Sequence, residues 1–263
     1  MTSVPSVLIT VPVRVHDDEQ LDSLLRCLVS LAGTAPDAPV LVVDDRSPTP
    51  LATLIERATL ELGQAYVRQE DGQGAAAAIN VGLGVAAANG ADAILVGPDV
   101  ELRTVGWIET LRARTDVAGR LAAVVGGAVT YANGGMKHAG YYFSMLQRRW
   151  GTRLHHAPDD LPAVRRPCQC PVSSSLQLVR HACIEAVGFY DEQFEHDSGD
   201  IDYCLRVFAA GLESVLEPSV RARSTQPAIH GAIRIDGPQR EDLMCLRKKH
   251  LATDMSRWTP EAL

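Results

Sequence analysis

Strand-like and helix-like segments alternate through residues 7–96 of this 263-residue chain. Residues 7–13 and 40–43 are short runs rich in β-branched side chains, as in buried strands, and apolar residues at helical spacing follow the first run. Such alternation is typical of a parallel sheet with helices on its faces. The sequence therefore predicts an α/β fold with a mostly parallel sheet.

Two aspartates follow directly after predicted strands of this sheet. Asp45 comes after residues 40–43, and Asp99 comes after the apolar run 94–96 and the turn Gly97-Pro98. In open α/β sheets, ligands bind outside the carboxyl ends of the strands. A carboxylate at that edge is suited to hold a divalent cation against a phosphate, although aspartate is also common in plain turns beside proline. Asp99 is therefore a candidate ligand-binding residue.

Composition disfavours several classes of protein. The net charge of −7 argues against a dedicated nucleic-acid binder. No apolar run reaches the roughly 18 residues of a membrane span, and the N-terminus lacks the pattern of a signal peptide. Cys168 and Cys170 do not have the spacing of a zinc knuckle, and we interpret the other four cysteines as buried thiols. We expect a cytoplasmic protein, with attachment to the inner face of the membrane left open.

The alternation weakens after residue 100. We predict short strands at 122–125 and 129–131 on either side of Gly126-Gly127, and helices at 200–210 and 240–251. The segment 147–171 is rich in Arg, His and Pro, and we predict it to be a long loop over the site.

A glycine motif opens the predicted helix 74–89. Gly72, Gly74 and Ala77 match the dinucleotide fingerprint G-x-G-x-x-A, and Asp92 lies about twenty residues further on. That fingerprint normally follows the first strand of its unit, and the first strand here has no glycine after it. Small residues also let a helix pack closely on a sheet. A dinucleotide-dependent oxidoreductase is therefore a weak alternative.

Six stretches taken in order resemble one protein family. They are VLITVPV, LVVDDRSP, GQGAAAAINVGL, LVGPDVEL, KHAG and VGFYDEQFEHDSGDIDYCLRVFAAGL. Their order and spacing resemble those of family 2 glycosyltransferases of the GT-A fold, most of all the bacterial rhamnosyltransferase-like branch. The resemblance covers roughly residues 5–215. It implies a GT-A-like domain over 1–223, with a nucleotide-sugar-binding half (1–100) and an acceptor half (101–223), followed by a C-terminal tail (224–263).

The resemblance implies how the donor is bound. Asp45 corresponds to an aspartate that accepts the ring N–H of uracil or thymine. Pro12 and Val13 lie in the segment that contacts the base and the ribose, and Asn80 corresponds to a polar position in the helix over the nucleotide. The donor is expected to be a UDP-, dTDP- or GDP-sugar.

A metal site is also implied. Asp99 corresponds to the last aspartate of the family's DxD-like motif and would hold Mg²⁺ or Mn²⁺ against the departing diphosphate. Gly97 replaces the first polar residue of that motif. Arg223 stands where the family often has a histidine, and His230, seven residues later, is a candidate replacement ligand.

The same resemblance assigns the general base to Asp200, which corresponds to the aspartate of the family's ED motif. Gly199 stands where many relatives have glutamate. Asp200 is also a plain first-turn carboxylate of a helix, which the helix dipole favours. Asp202 has the same alternative interpretation and can pair with Arg206 one turn later.

Together these features imply an inverting, metal-assisted transfer of a sugar to a hydroxyl acceptor. The acceptor is expected to be a glycan, a lipid-linked molecule or a small molecule, nucleic acid is not expected as a partner, and a homodimer is an open possibility. The departures at Gly97, Gly199 and Arg223 leave a non-catalytic glycan- or partner-binding relative as the alternative.

Overall fold

The computed structural model describes residues 6–158, 162–196, 198–227 and 238–260. Its strands are β1 (Val7–Val13), β2 (Val40–Asp45), β3 (Ala65–Gln69), β4 (Asp92–Val96), β5 (Val100–Leu102), β6 (Val124–Thr130), β7 (Met136–His138), β8 (Tyr141–Ser144), β9 (Arg149–Thr152), β10 (Cys168–Gln169), β11 (Leu176–Val179) and β12 (Ser214–Ser224). Its α-helices are α1 (Asp18–Thr34), α2 (Thr49–Glu61), α3 (Ala75–Ala88), α4 (Trp107–Ala113), α5 (His181–Val187), α6 (Gly199–Ala209) and α7 (Pro238–Lys249).

The main sheet has the strand order β10-β12-β6-β11-β4-β1-β2-β3. Strands β4, β1, β2 and β3 run parallel, and β12 runs parallel to β6, whereas β11 lies antiparallel between β4 and β6. The predicted α/β fold with a mostly parallel sheet is confirmed. The carboxyl ends of the parallel strands open on one edge, where Asp45 and Asp99 lie.

The helices cover both faces of the sheet. Leu24, Leu28 and Leu31 of α1 pack on one face together with alternate side chains of β1, such as Ile9. The apolar residues predicted at helical spacing after the first strand therefore form the buried face of α1. The side chain of Asp17 caps the helix by accepting the backbone N–H of Gln20.

Helix α3 lies very close to the opposite face of the sheet. A Cβ atom at Gly82 would overlap the side chain of Thr10 in β1. Ala76, Ala78 and the other small residues of α3 are buried in the same interface. The alanine- and glycine-rich composition of this helix is thus explained by close packing.

Two predictions about the second half of the chain are wrong. The strands predicted at 122–125 and 129–131 are one strand, β6, because Gly126 and Gly127 do not interrupt it. A Cβ at Gly126 would overlap Val172, and one at Gly127 would overlap Leu176, so the glycines make room for neighbouring side chains. The segment 147–171 also contains strands: β9 pairs with β8, and β10 pairs with β12.

The tail packs against the rest of the molecule through α7 and a short 3₁₀ turn, Ser256–Trp258. Leu246 and Trp258 are buried with Ile201 and Leu205 of α6. In the part of the chain that the structure describes, no helix has the length and apolar character needed to cross a membrane.

Candidate active site

Asp99 lies just beyond the carboxyl end of β4, in a turn that the neighbouring backbone fixes. The amide of Gly97 donates to the carbonyl of Ser175 (2.9 Å), and the amide of Val100 donates to the carbonyl of Gly97 (3.1 Å). A Cβ at Gly97 would lie 3.2 Å from Oδ1 of Asp99, closer than most real contacts. Glycine at this position therefore leaves room for the carboxylate.

The carboxylate of Asp99 is bound by a lysine. Nζ of Lys137 lies 2.7 Å from Oδ2 of Asp99, and both side chains are 13% exposed. Ser224 donates its hydroxyl proton to the same oxygen. Burial raises the pKa of Asp99, but the charge of Lys137 and the hydrogen bonds from Lys137 and Ser224 outweigh it, so the pKa lies below the usual aspartate value.

Three oxygen atoms surround the Lys137 ammonium. Besides Asp99, it donates to the hydroxyl of Ser224 (3.0 Å) and to the side-chain carbonyl of Gln226 (3.1 Å). The arrangement follows from the sheet, since β7 pairs with β6, and β6 pairs with β12, which carries Ser224. All three N–H bonds of the ammonium have protein partners.

The described residues fit a divalent metal poorly at this place. Mg²⁺ and Mn²⁺ need several oxygen ligands that are free of cations. Here the ammonium of Lys137 and the hydroxyl of Ser224 already engage Oδ2 of Asp99. Within residues 6–158, 162–196, 198–227 and 238–260, no group of three or more His, Cys, Asp or Glu is arranged to hold a metal. His230, the other predicted ligand, lies outside the described residues.

A cavity of about 360 Å³ opens beside Asp99 at the ends of β1 and β4. Val13, Arg14 and Gln226 are among its lining residues. Pro12, the residue before Val13, is partly buried and pairs with β2. The structure thus brings two of the predicted donor-binding residues, Val13 and Asp99, to one cavity.

Asp45 holds the glycine loop in place. Its Oδ1 accepts the amide of Gln73 (2.8 Å) and its Oδ2 accepts the amide of Gly74 (3.1 Å). Arg14 lies 3.8 Å from Oδ2. Gly72 and Gly74 have φ angles of 57° and 92°, which favour glycine. The amides that a dinucleotide phosphate would need therefore face a carboxylate.

Asn80 connects α3 to the segment that precedes α6. Its amide group donates to the carbonyl of Tyr190 (3.0 Å) and to Oε1 of Glu192 (2.8 Å), and its Oδ1 accepts the amide of Tyr190 (2.8 Å). These bonds engage both ends of the Asn80 side chain. A direct contact between Asn80 and a nucleotide stays a prediction.

Asp200 lines a second cavity, of about 220 Å³, at the N-terminal end of α6. The hydroxyl of Tyr141 (2.9 Å) and the amide of Ser174 (3.2 Å) donate to its Oδ2, and the amide of Ile201 (2.8 Å) donates to its Oδ1. A Cβ at Gly199 would lie 3.3 Å from the Cβ of Phe194. These donors orient the carboxylate at the cavity wall.

His138 also lines the Asp200 cavity, although its chain neighbour Lys137 reaches Asp99. Burial, and then the charge of Lys137, lower the pKa of His138 to about 3, so the ring is neutral at neutral pH. Its Nδ1 is buried and has no hydrogen-bond partner among the described residues. Of these adjacent residues of β7, His138 therefore lines the Asp200 cavity, and Lys137 contacts Asp99, which lines the other cavity.

Asp202 is fully buried and engaged by three basic side chains. Arg206 binds one oxygen (2.9 Å), as its spacing predicts, while Lys249 and His250 bind the other, each at 2.8 Å. Burial raises the pKa of Asp202, but hydrogen bonds from His250, Lys249 and Arg206 outweigh it and lower the pKa. Asp202 therefore joins α6 to α7.

Sequence reasoning missed several residues at these carboxylates. Lys137 stands inside the quoted stretch KHAG, but no pattern in the sequence assigns it a contact with Asp99. Ser224, which contacts Asp99, was also missed. Its neighbour Arg223, which stands at the family's histidine position, donates to the carbonyl of Ala132. The alternation of side chains along β12 is a signal that could have pointed to Ser224.

Comparisons with known proteins find similarity at the level of the structure. No family model matches the chain, and no curated protein matches it. GalNAc-T7, solved with UDP, GalNAc and Mn²⁺, is 15% identical with a TM-score of 0.68; the match covers 94% of this chain and 48% of that one. The mannosyltransferase PcManGT of Pyrobaculum calidifontis, solved with GDP-Man and Mn²⁺, is 14% identical with a TM-score of 0.62, covering 96% and 66%.

A third structure, TarS of S. aureus, is 15% identical with a TM-score of 0.55, and the match covers 84% of this chain and 37% of that one. The chain therefore spans less than half of GalNAc-T7 and of TarS. At these identities the likeness shows a shared fold. The chain has a GT-A-like α/β fold, similar to that of the GT-A glycosyltransferases GalNAc-T7, TarS and PcManGT.

Proposed function

We propose that the protein is an inverting glycosyltransferase that moves a sugar from a nucleoside-diphosphate donor to a hydroxyl acceptor. One observation carries the proposal: a single short backbone segment joins the carboxylates at the two cavities. The carbonyl of Ser175 accepts the amide of Gly97, two residues before Asp99, and the amide of Ser174 donates to Asp200. Such a segment holds a donor-side and an acceptor-side carboxylate in a fixed relation.

In this proposal the donor occupies the cavity beside Asp99, with Pro12 and Val13 against the base and the ribose. Asp45 accepts the ring N–H of a uracil or thymine. A carboxylate has about four lone-pair sites, so the amides of Gln73 and Gly74 leave capacity for a further donor. Because adenine lacks that ring N–H, Asp45 would discriminate against it.

In the proposal, Asn80 and Gly97 shape the site and take no part in the reaction itself. Asn80 fixes the backbone of Tyr190, which lines the Asp200 cavity. Gly97 keeps the space beside Asp99 open.

Asp200 is the proposed general base. Its carboxylate takes the proton of the acceptor hydroxyl as that oxygen attacks the anomeric carbon. The bond between the anomeric carbon and the phosphate oxygen breaks, and its electron pair leaves with the nucleoside diphosphate. A single displacement inverts the anomeric configuration, by the same carboxylate-base logic as in inverting hydrolases. Tyr141 and Ser174 orient the carboxylate through their hydrogen bonds.

The sequence predicts Mg²⁺ or Mn²⁺ bound to Asp99 and His230. The described residues support this part of the mechanism least. Mn²⁺ accompanies two of the similar structures. In this chain the Lys137 ammonium stands against the Asp99 carboxylate. We therefore derive no catalytic step through a metal.

The sugar and the acceptor are proposed only by class. The resemblance to the rhamnosyltransferase-like branch makes dTDP-rhamnose one donor to test beside other dTDP-, UDP- and GDP-sugars. A glycan, a lipid-linked molecule or a small hydroxyl compound is the proposed acceptor.

The test is a donor panel with two readouts, binding by calorimetry and release of the nucleoside diphosphate. We expect at least one nucleotide-sugar to bind, and its diphosphate to be released in the presence of acceptor glycosides by wild type and not by Asp200→Asn. Binding without release by wild type would instead support the non-catalytic alternative. If NADH binds and no nucleotide-sugar does, the proposal is wrong and the oxidoreductase alternative is favoured.

A further inference from the structure

Lys137 is a cation in direct contact with Asp99, the carboxylate predicted to lie against the diphosphate. Its ammonium is held by Asp99, Ser224 and Gln226, all through oxygen atoms. A hard cation is surrounded by oxygen atoms in the same way. Lys137 therefore takes the place, among these oxygens, that a metal ion would take.

A cation at this place would offset the negative charge that a diphosphate brings into the cavity. A departing nucleoside diphosphate brings negative charge next to the carboxylate of Asp99, which forms an ion pair with Lys137. Without a positive group the two would repel each other in a partly buried site. Lys137 already neutralises Asp99, and Arg14 lines the same cavity.

The ammonium can also reach a new partner without leaving Asp99. Of its three acceptors, Gln226 is the exposed one, whereas Ser224 is fully buried. Exchange of the Gln226 amide oxygen for a phosphate oxygen would keep all three N–H bonds of the ammonium satisfied. Both Asp99 and Gln226 line the donor cavity. A phosphate bound in this cavity would therefore approach the ammonium from the side that Gln226 occupies.

The choice of lysine fits the same role. The chain has 3 lysines against 22 arginines, and the other two lysines, Lys248 and Lys249, are neighbours in α7. A compact ammonium fits among three converging oxygens, whereas a planar guanidinium presents its N–H groups in one plane.

We infer that Lys137, in place of a divalent metal, supplies the positive charge that binds the donor's diphosphate and stabilises it as it leaves. The inference rests on the proposed function. No covalent step involves Lys137: it remains an ammonium while the anomeric carbon–oxygen bond breaks.

Calorimetry with UDP, dTDP and GDP, each in EDTA and again with Mn²⁺, tests the inference. We expect wild type to bind at least one of them with the same affinity in both buffers. Lys137→Met should weaken that binding about tenfold or more, the usual effect of losing a charge-assisted hydrogen bond. The corresponding nucleoside, which lacks phosphate, should bind Lys137→Met as it binds wild type. Lys248→Met, an exposed lysine on α7, is the matched control and should bind like wild type.

Asp99→Asn distinguishes a lysine cation from a metal cation, because the two predict opposite effects on diphosphate binding. If Lys137 is the cation, neutralising its partner should leave diphosphate binding intact or strengthen it. If a metal on Asp99 is the cation, the same change should abolish binding. Lys137→Met alone leaves the partly buried Asp99 carboxylate without its cation. The double variant Asp99→Asn/Lys137→Met removes both charges and avoids this effect. We expect it to bind the diphosphate as weakly as Lys137→Met does.

Binding that requires Mn²⁺, or wild-type affinity in both Lys137→Met and the double variant, would overturn the inference and leave the proposed function standing. If none of the three diphosphates binds in either buffer, the proposed function fails, and the inference fails with it.

Discussion

Nε2 of His250 lies 2.8 Å from Oδ1 of Asp202, so a residue of the C-terminal tail contacts a carboxylate only two positions after the proposed base. Lys249 binds the same oxygen, and Arg206 binds the other. The two aspartates at the start of α6 therefore have different surroundings. Asp200 faces a cavity, and Asp202 faces basic side chains.

Asp202→Asn should reduce stability because it removes the charge that three basic groups share. We expect a loss of roughly 3 kcal/mol, at the low end for breaking a buried ion pair, since Lys249 and Arg206 keep access to water. Thermal unfolding measures the effect. The control is Asp22→Asn, which breaks an exposed pair with Arg26 at the same spacing of four residues and should cost under about 1 kcal/mol. Equal losses in the two variants would contradict the account.

The pH dependence of stability should report the same group. The pKa of Asp202 is lower in the folded protein than in the unfolded chain, so its contribution is complete above the unfolded value of about 3.9 and is lost as the pH falls below it. We expect the difference in unfolding free energy between wild type and Asp202→Asn to shrink in this acid range. A difference that stays constant down to the lowest pH at which both proteins fold would show that charge is not the cause.

Two glycines of α3 should respond oppositely to alanine. Gly82→Ala would place a Cβ against Thr10, and overpacking of this kind costs roughly 1–3 kcal/mol. Gly84→Ala meets no atom within 4 Å and should stabilise the helix by up to about 1 kcal/mol. Denaturant unfolding of the two variants checks the packing of α3 on the sheet. A stabilised Gly82→Ala would mean that α3 lies further from β1 than described.

Asp45→Asn should weaken binding of uracil or thymine nucleotides, because one charge-assisted hydrogen bond is worth about 1.5–3 kcal/mol. Titration of UDP, dTDP and ADP measures the effect. Asp44→Asn is the control: Asp44 is fully buried against Ser47, Tyr66 and Arg68, and its loss should lower stability and leave base preference unchanged. If wild type binds ADP as tightly as UDP or dTDP, the role proposed for Asp45 is wrong.

The sequence could predict what depends on local pattern. The hydrophobic periodicity of residues 7–96 predicts the strands and helices that carry Asp45 and Asp99 to one edge of the sheet. Lys137 could not be predicted in the same way, because its contact with Asp99 joins residues 38 positions apart and depends on the pairing of three later strands. Strand register is set by tertiary packing, which a single sequence does not display.

The glycines show a similar limit. In the sequence, Gly126 and Gly127 look like a break between two strands. In the structure they make room for the side chains of Val172 and Leu176, about 46 to 49 positions later in the chain.

The central claim, sugar transfer with Asp200 as base, is tested most directly by comparing wild type with Asp200→Asn at saturating donor. We predict that transfer to acceptor glycosides, measured as the mass increase of the acceptor, falls by roughly 10²–10⁴-fold in Asp200→Asn. Donor affinity measured in parallel should barely change, and Asp202→Asn should keep much of its activity at temperatures where it is folded. Full activity in Asp200→Asn, or loss of transfer in folded Asp202→Asn alone, would contradict the account.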